Sequence, residues 1–246
     1  MSNPLIDRIA LVTGASRGIG RATALALAKA GAHVVAVART VGGLEELDDE
    51  VKRAGGSATL VPLDLKDSDG IARLGAALNE RYRRLDILVA NAAILGSLSP
   101  LSHVDPKVWN DVMAVNVSAT WQLLRCMEPL LTQSAAGRAV LVTSAAAWKG
   151  TAYWGPYAIS KAAIDMMGRT WAAETATTNL RVNLFNPGPI RTRMRESAFP
   201  GEDPATLTTP DQAAEKILEL CLPDFSESGK LYDFPTGKLM SFRGPA

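Results

Sequence analysis

The chain has 246 residues, of which 47% are hydrophobic and 21% are charged, a composition typical of a globular protein. Its 26 basic and 25 acidic residues leave a net charge of +1, without the basic excess of a nucleic-acid-binding surface, so we expect no nucleic-acid partner. No apolar run approaches the length of a membrane span and the N-terminus lacks a secretory pattern, which predicts a cytoplasmic chain with no membrane partner. The two cysteines form no ligand spacing, so we expect no metal site.

Apolar runs alternate with helical segments along the chain. The predicted strands cover 8–13, 33–38, 58–63, 86–90, 139–144, 181–185 and 230–234, and the predicted helices cover 18–30, 41–54, 68–84, 106–131, a segment from 155 onward and 210–221. The strands are continuous apolar runs such as HVVAVA, which is typical of parallel strands covered on both faces. We therefore predict an α/β fold, doubly wound and Rossmann-type, with a mostly parallel seven-stranded sheet, helices on both faces and a single domain over residues 1–246.

One polar segment interrupts this alternation. Residues 187–210 are rich in proline, glycine, threonine and charge, and they separate the last-but-one predicted strand from the helix at 210–221. A polar segment of this length in a compact domain more often serves function than scaffold, so we predict that it forms a lid over a substrate.

The segment TGASRGIG at 13–20 joins the first strand to the first helix. Glycine permits a tight turn and a close approach of the backbone to a ligand, and the start of a helix attracts phosphate. The glycines follow the spacing G-x-x-x-G-x-G instead of the more common G-x-G-x-x-G, and a simple tight turn is the alternative. The position in the first β-α unit favours a pyrophosphate site.

The second strand ends in VAVART, which bears on the choice of nucleotide. An acidic residue at this point binds the ribose of NAD, whereas an arginine accommodates the 2′-phosphate of NADP. Here Ala38 stands where an acid is expected, Arg39 follows it, and Arg17 lies in the glycine turn. The alternative is that both arginines are solvated surface residues. The sequence therefore predicts that NADP(H) is favoured over NAD(H).

Tyr157 and Lys161 lie four residues apart in an otherwise apolar helix, GPYAISKAAIDMM. This spacing places both on one face of the helix, where an ammonium is expected to lower the pKa of a phenol. Such a tyrosine can exchange a proton with a carbonyl or an alcohol oxygen. Ser144 ends the strand at 139–144 and is a candidate to hold that oxygen. In the alternative interpretation, the tyrosine hydroxyl and the lysine simply reach solvent.

Six motifs, taken in order, resemble those of the short-chain dehydrogenase/reductase family, in its compact single-domain branch. They are TGASRGIG, NAA at 91–93, VNV at 115–117, Ser144, YAISK at 157–161 and NPGPIRT at 186–192. The resemblance covers nearly the whole chain and implies an NAD(P)-dependent oxidoreductase that acts on CH–OH or carbonyl groups. Members that are similar in AYWGPYAISK and RESAFPGEDP are bacterial proteins whose substrates are not well defined.

The resemblance also implies a role for each matching residue. The catalytic set would be Asn116, Ser144, Tyr157 and Lys161. Tyr157 would be the general acid/base, Lys161 would lower its pKa and hold the nicotinamide ribose, Ser144 would orient the substrate oxygen, and Asn116 would anchor a relay water. The cofactor site would consist of Gly14, Ser16, Arg17, Gly18, Ile19, Gly20, Arg39, Asp64, Leu65, Asn91, Ala92, Tyr157, Lys161, Pro187, Ile190 and Thr192. Asp64 would contact the adenine, Asn91 the adenosine side and Thr192 the carboxamide.

Three features depart from the family pattern. Ala93 replaces the glycine of the usual N-A-G, which is expected to tighten the cofactor pocket. Ser144 is followed by AAAWKG, so the usual neighbouring serine is absent and the substrate wall is more apolar. The segment SGKLYDFPTGKLMSF lacks the Asp-Gly-Gly ending common in 3-oxoacyl-carrier-protein reductases, which argues against that activity.

The sequence thus favours an NADPH-dependent reductase of a ketone or aldehyde carbonyl, reversible as an alcohol dehydrogenase. The alternatives are a reductase of 3-oxoacyl thioesters on acyl carrier protein or coenzyme A, and a non-catalytic NADPH-sensing module. Family members pair through the helices that hold Asn116 and Tyr157, so the resemblance implies a homodimer or homotetramer. Two interpretations stay open for the aromatic residues Trp148, Tyr153 and Trp154: an apolar wall for a carbonyl substrate, or packing against the domain or a neighbouring subunit. Two also stay open for Arg191, Arg193 and Arg195: recognition of an acidic or phosphorylated substrate, or a solvated face of the predicted lid.

Overall fold

The structure is a computed structural model and describes residues 3–242. Its strands are β1 (Ile9–Thr13), β2 (His33–Ala38), β3 (Ser57–Pro62), β4 (Ile87–Ala90), β5 (Arg138–Val142), β6 (Arg181–Asn186), β7 (Lys230–Asp233) and β8 (Lys238–Ser241). Its α-helices are α1 (Gly18–Lys29), α2 (Val41–Arg53), α3 (Ser68–Tyr82), α4 (Pro106–Val112), α5 (Ala119–Gln133), α6 (Ala146–Lys149), α7 (Gly155–Glu174), α8 (Arg193–Ala198) and α9 (Pro210–Leu220). The remaining helical segments are a π-helix, Met113–Ser118, and 3₁₀ turns at Leu101–His103 and Pro204–Thr206. No helix within residues 3–242 is long and apolar enough to cross a membrane.

The strands form one sheet in the order β3-β2-β1-β4-β5-β6-β7-β8. The first seven pair in parallel, and β8 pairs antiparallel with β7. The predicted α/β class and mostly parallel sheet are confirmed, whereas the predicted number of seven strands is wrong by one. The missed strand, β8, lies at the sheet edge with mostly exposed residues. Its sequence therefore lacks the continuous apolar run by which buried parallel strands are identified.

Helices cover both faces of the sheet, as the side chains of β1 illustrate. Ile9 and Leu11 belong to a buried cluster that also contains residues of α3, α5 and α7. Ala10 and Val12 belong to a second cluster, with residues of α1, α2 and α9. Successive side chains of a strand point to opposite faces, and here helices cover both faces of the sheet. Every residue of β1 is therefore buried. This two-sided burial is the physical reason for the continuous apolar runs in the sequence.

The helix predicted at 106–131 consists of three consecutive segments, α4, the π-helix and α5. Val112 and Ala119, at the two junctions, keep right-handed helical backbone angles, so the chain stays helical throughout. A π-helical segment within an α-helix is rare and often marks a functional site. The segment Met113–Ser118 contains Asn116.

The predicted lid, residues 187–210, has a regular structure of its own. It contains α8 and the 3₁₀ turn Pro204–Thr206. A parallel bridge joins Ile190 to Thr208, and the Arg191 amide donates to the Thr208 carbonyl at 2.9 Å. The two ends of the segment therefore lie side by side, and the residues between them form a closed loop.

Candidate active site

A cleft of about 580 Å³ is lined by residues at or just beyond the carboxyl ends of β1 to β6, the position at which such sheets bind ligands. The predicted site residues that line it are Gly14, Ser16, Arg17, Gly18, Ile19, Arg39, Asp64, Leu65, Asn91, Ala92, Ser144, Tyr157, Lys161, Pro187, Ile190 and Thr192. Two predicted residues, Gly20 and Asn116, lie outside this lining. The structure thus brings nearly all of the predicted site into one cleft.

The glycine turn after β1 is packed too closely for side chains. A Cβ on Gly20 would lie 2.4 Å from Asn91 Nδ2, and Gly18 has a φ of +58°, a left-handed angle that favours glycine. The side-chain amide of Asn91 donates to the Thr13 carbonyl at 2.9 Å, and this hydrogen bond ties the end of β4 to the end of β1. The absence of a side chain at Gly20 therefore leaves room for the Asn91 side chain, although Gly20 does not itself line the cleft.

The first turn of α1 fits an anion. No side chain caps this helix, and its first turn contains no acidic residue. The first N–H groups of a helix have no partner within the helix, and together with the helix dipole they attract phosphate. The residues present therefore fit the pyrophosphate of a dinucleotide.

Arg17, Arg39 and Thr40 also border the cleft. Both arginines are exposed, and β2 ends in Ala38 without an acidic residue. Thr40 is the N-cap residue of α2, but its side chain makes no capping hydrogen bond, so its hydroxyl can bind a ligand. The sequence prediction did not include Thr40, although a threonine at the start of the second helix is a recognisable signal.

Ser144, Tyr157 and Lys161 line the cleft together. Ser144 lies two residues beyond β5, whereas Tyr157 and Lys161 are buried on successive turns of α7. The Lys161 ammonium donates to the Val142 carbonyl at 2.7 Å, and its Nζ lies 5.6 Å from the centre of the Tyr157 ring. The three predicted side chains therefore meet at one place.

The pKa of Tyr157 differs from what the sequence predicts. Burial raises the pKa of Tyr157 to about 12, against a smaller lowering by a hydrogen bond with Ser144. Burial also lowers the pKa of Lys161 to about 8, against the raising effect of Asp165. For the protein side chains alone, the expected lowering of the Tyr157 pKa is wrong, because removing the phenol from water outweighs the hydrogen bond with Ser144. Tyr157 therefore keeps its proton at neutral pH.

The Asn116 side chain joins two parts of the fold. Its amide nitrogen donates to the Ile94 carbonyl at 3.0 Å and to the Ser160 hydroxyl at 2.9 Å, and its oxygen accepts the Ile94 amide at 2.8 Å. Ser160 in turn donates to the Tyr157 carbonyl at 2.7 Å. Asn116 thus links the segment after β4 to α7, and its implied role in anchoring a water stays a prediction.

Trp154 forms an aromatic wall of the cleft. Its ring centre lies 5.9 Å from that of Tyr157 and 5.8 Å from that of Phe199, which follows α8. Trp148 and Tyr153, the other aromatics of this region, are exposed and lie outside the lining of the cleft. The sequence prediction did not include Phe199, because a single aromatic residue in a polar segment has no periodic pattern.

The three arginines of the predicted lid all line the cleft, but their contacts differ. Arg195 makes a bidentate ion pair with Glu202, at 2.5 and 2.6 Å, and its guanidinium lies 3.8 Å from the centre of the Phe199 ring. Arg191 and Arg193 are exposed. The charge of Arg195 is therefore already compensated within the segment.

The chain is similar to known proteins over most of its length. The family model described as short chain dehydrogenase matches residues 8–203. The uncharacterized oxidoreductase YciK of Escherichia coli (strain K12) is 40% identical over 238 residues, which cover 95% of this chain and 94% of that protein. Dehydrogenase/reductase SDR family member 4 of Mus musculus is 35% identical over 191 residues, which cover 78% of this chain and 68% of that protein.

Two solved structures share the fold closely. A short chain dehydrogenase from Shigella flexneri 2a str. 301, complexed with NADP, has a TM-score of 0.91 at 39% identity, covering 96% of this chain and 100% of that one. A short chain dehydrogenase from Escherichia coli CFT073, complexed with NADPH, has a TM-score of 0.88 at 39% identity. The match covers 95% of this chain and 99% of that one. Sequence motifs, fold and relatives agree: the chain belongs to the short-chain dehydrogenase/reductase family and is an oxidoreductase.

Proposed function

We propose that this protein reduces a ketone or aldehyde carbonyl to the alcohol with NADPH, and catalyses the reverse oxidation when cofactor ratios allow. The observation that carries the proposal is the grouping of Ser144, Tyr157 and Lys161 in the cleft that also contains the glycine turn. Carbonyl reduction requires a proton donor beside a dinucleotide site. The short chain dehydrogenases in complex with NADP and NADPH support the choice of cofactor.

The residues that would hold the cofactor are distributed along the cleft. The start of α1 would bind the pyrophosphate, Asp64 and Asn91 the adenosine part, and Thr192 the carboxamide. Arg17 and Arg39 would bind the 2′-phosphate, which the planar guanidinium matches in shape and charge. These two arginines are the basis of the proposed preference for NADP(H) over NAD(H). When bound, the cofactor supplies the hydride.

Tyr157 supplies the proton. Because burial raises its pKa to about 12, its hydroxyl is protonated at neutral pH and can donate to a carbonyl oxygen. Ser144 can hold the same oxygen, since it lines the cleft together with Tyr157. Lys161, with a pKa of about 8, is mostly charged at pH 7 and stabilises the phenolate that the transfer leaves.

The wall beside Tyr157 favours a substrate with an uncharged, apolar flank. Trp154 supplies an aromatic surface, and the ion pair with Glu202 compensates the charge of Arg195. The lining of the cleft also includes the apolar side chains of Ile94, Leu95 and Met194. Binding sites of this kind orient an apolar body by shape and fix one polar group by hydrogen bonds.

We also propose that residues 187–210 act as a lid in a single-domain protein, and that the protein forms a homodimer or homotetramer. Exposed apolar side chains on α5 and α7 support an association through these helices, since large exposed apolar groups mark interaction surfaces. They are Trp121, Ile159 and Met166. Light scattering during gel filtration measures the mass, and the mass of one subunit would contradict the association.

The proposed activity is tested by NADPH oxidation against a panel of ketones, aldehydes, quinones and 3-oxoacyl thioesters. The wild type is compared with Tyr157→Phe and with Tyr153→Phe, which changes an exposed tyrosine outside the cleft. We expect ketones or aldehydes to react, with kcat lowered by about 100-fold or more in Tyr157→Phe alone, since a general acid contributes about 10²–10⁴-fold.

The other outcomes separate the alternatives. Reduction of thioesters alone would favour the acyl-thioester reductase, and tight NADPH binding without turnover of any compound would favour the sensing module. Wild-type turnover in Tyr157→Phe would disprove the role of this tyrosine as proton donor.

A further inference from the structure

Tyr157, Lys161 and Asp165 occupy successive turns on one face of α7. Asp165 is only 8% exposed, and its Oδ1 has no hydrogen-bond partner among the residues that the structure describes. A buried polar atom without a partner costs free energy, so each such atom in a native protein requires an explanation. Packing alone does not explain a carboxyl group at this position.

The groups that face Asp165 come from several elements. On α7 itself, Lys161 and Arg169 both favour its ionised form, and the hydroxyl of Thr143, the residue that follows β5, also favours it. Asp165 further borders a groove of about 460 Å³ between α6, α7, β7 and β8, whose described lining contains one other charged residue, Arg169. The Arg169 guanidinium lies 4.6 Å from the centre of the Phe242 ring, so this cation is partly engaged elsewhere.

Lys161 has little other support for its charge. Within residues 3–242 its ammonium donates one hydrogen bond, to the Val142 carbonyl, and it forms no close ion pair. Burial opposes the charge and lowers the pKa of Lys161, whereas the Asp165 carboxylate acts in the opposite direction. Asp165 is thus placed to sustain a charge that burial alone would suppress.

We propose that Asp165 is a positioning residue that acts through Lys161, keeping the lysine ammonium charged inside the active site. The inference rests on the reaction proposed above, because there Lys161 stabilises the phenolate of Tyr157. The buried carboxylate, whose Oδ1 has no partner among the described residues, then costs stability and contributes to activity, a relation that is common at functional sites.

The experiment compares the wild type with Asp165→Asn, which removes the charge at nearly constant shape. Arg169→Gln is the matched control, since it removes the other charge of the same groove one turn further along α7. Asp165→Ser replaces Asp165→Asn if circular dichroism shows that the asparagine variant is unfolded.

Two measurements are made on each variant. NMR of the full chain with isotope-labelled lysine, in which Lys161→Arg assigns the signal, follows the titration of Lys161 without any turnover. The pH dependence of kcat/KM follows NADPH-dependent reduction of a carbonyl to which the wild type responds. The first measurement does not depend on the proposed reaction, and the second does.

In Asp165→Asn we expect the Lys161 titration to move down by about one pH unit, since a nearby opposite charge shifts a pKa by about 1–3 units. The pH at which kcat/KM falls on the alkaline side should move down by the same amount. In Arg169→Gln, the Lys161 titration and the kcat/KM profile should both shift far less. An unchanged Lys161 titration in Asp165→Asn would overturn the inference. A shifted titration with an unchanged kcat/KM profile would overturn the role of Asp165 in the reaction.

The failure of the proposed function has a different signature. If the wild type reduces no carbonyl of the panel, the proposed reaction fails, while a shifted Lys161 titration still supports the effect of Asp165 on the charge of the lysine.

Discussion

Arg195 holds Glu202 through two hydrogen bonds of 2.5 and 2.6 Å, and the same guanidinium lies over the ring of Phe199. The Phe199 ring contacts Trp154, whose ring in turn contacts Tyr157. A continuous series of contacts therefore joins an ion pair in the proposed lid to the proposed proton donor. We expect this ion pair to order the proposed lid where it borders the cleft.

Glu202→Gln should weaken substrate binding without unfolding the protein. We expect KM for the carbonyl substrate to rise about fivefold, the equivalent of about 1 kcal/mol, with kcat nearly unchanged. The melting temperature should also change little, because the two side chains are still 24% and 27% exposed and an ion pair that water reaches contributes little to stability. Steady-state kinetics and calorimetry measure both effects. The control is Glu196→Gln in the same segment, whose carboxylate makes no ion pair among the described residues. Equal KM values in the two variants would contradict the ordering role of the ion pair.

Arg39→Asp should change the choice of cofactor. A hydrogen bond to a charged group contributes about 1.5–3 kcal/mol, so Kd for NADPH should rise about 10- to 100-fold while Kd for NADH stays constant or falls. Fluorescence titration measures both constants. Arg53→Asp, at the exposed end of α2, is the matched control and should leave both unchanged. A similar loss for NADPH and NADH in Arg39→Asp would remove this arginine from the 2′-phosphate site.

Gly18→Ala should separate backbone strain from loss of the cofactor site. Gly18 and Gly55 both have a left-handed φ, +58° and +77°, so alanine at either position should cost about 1 kcal/mol of stability. A Cβ on Gly18 would also lie 3.3 Å from Thr192 Cγ2, whereas a Cβ on Gly55 meets nothing within 4 Å. We therefore expect similar melting temperatures for the two variants but weaker NADPH binding in Gly18→Ala alone. Equal NADPH affinities would argue against a pyrophosphate at the glycine turn.

Asp165→Asn should stabilise the protein at neutral and higher pH. Burial raises the pKa of Asp165 from its ordinary value of 3.8 to about 6, so the folded state binds this proton more tightly than the unfolded state. The wild type therefore loses stability, relative to the neutral asparagine, as the pH rises from about 4 to about 6. Above about pH 6, the free energy of unfolding of Asp165→Asn should exceed that of the wild type by on the order of 2 kcal/mol. Below about pH 4 this difference should vanish. Urea unfolding over a pH series measures it, and a difference independent of pH would show that the carboxyl is not destabilised by burial.

The sequence predicts what depends on local geometry. The spacing of Tyr157 and Lys161 places them on one helical face whatever surrounds the helix, and residues that follow parallel strands meet at one edge of the sheet. This is why the glycine turn, Ser144 and Tyr157 are found together in one cleft.

What the sequence does not predict depends on contacts between distant segments. The direction of the Tyr157 pKa follows from its complete burial, to which several elements contribute. The contacts of Phe199 and Glu202 arise within a segment that has no periodic pattern. Asp165 is, in the sequence, one polar residue within an apolar helix. The edge strand β8 is similarly inconspicuous, because half-exposed strands carry a weak apolar signal.

The amide of Asn116 gives the cleft a rigid side. It fastens the segment after β4 to α7, and through Ser160 it reaches the backbone of Tyr157 itself. These hydrogen bonds tie the two parts of the cleft together, so we expect the distance from Tyr157 to the segment around Ile94 to vary little. The proposed lid reaches Tyr157 by another route, the ring contacts of Phe199 with Trp154 and of Trp154 with Tyr157, so we expect changes within this segment to affect the proposed proton donor as well as the compounds that enter.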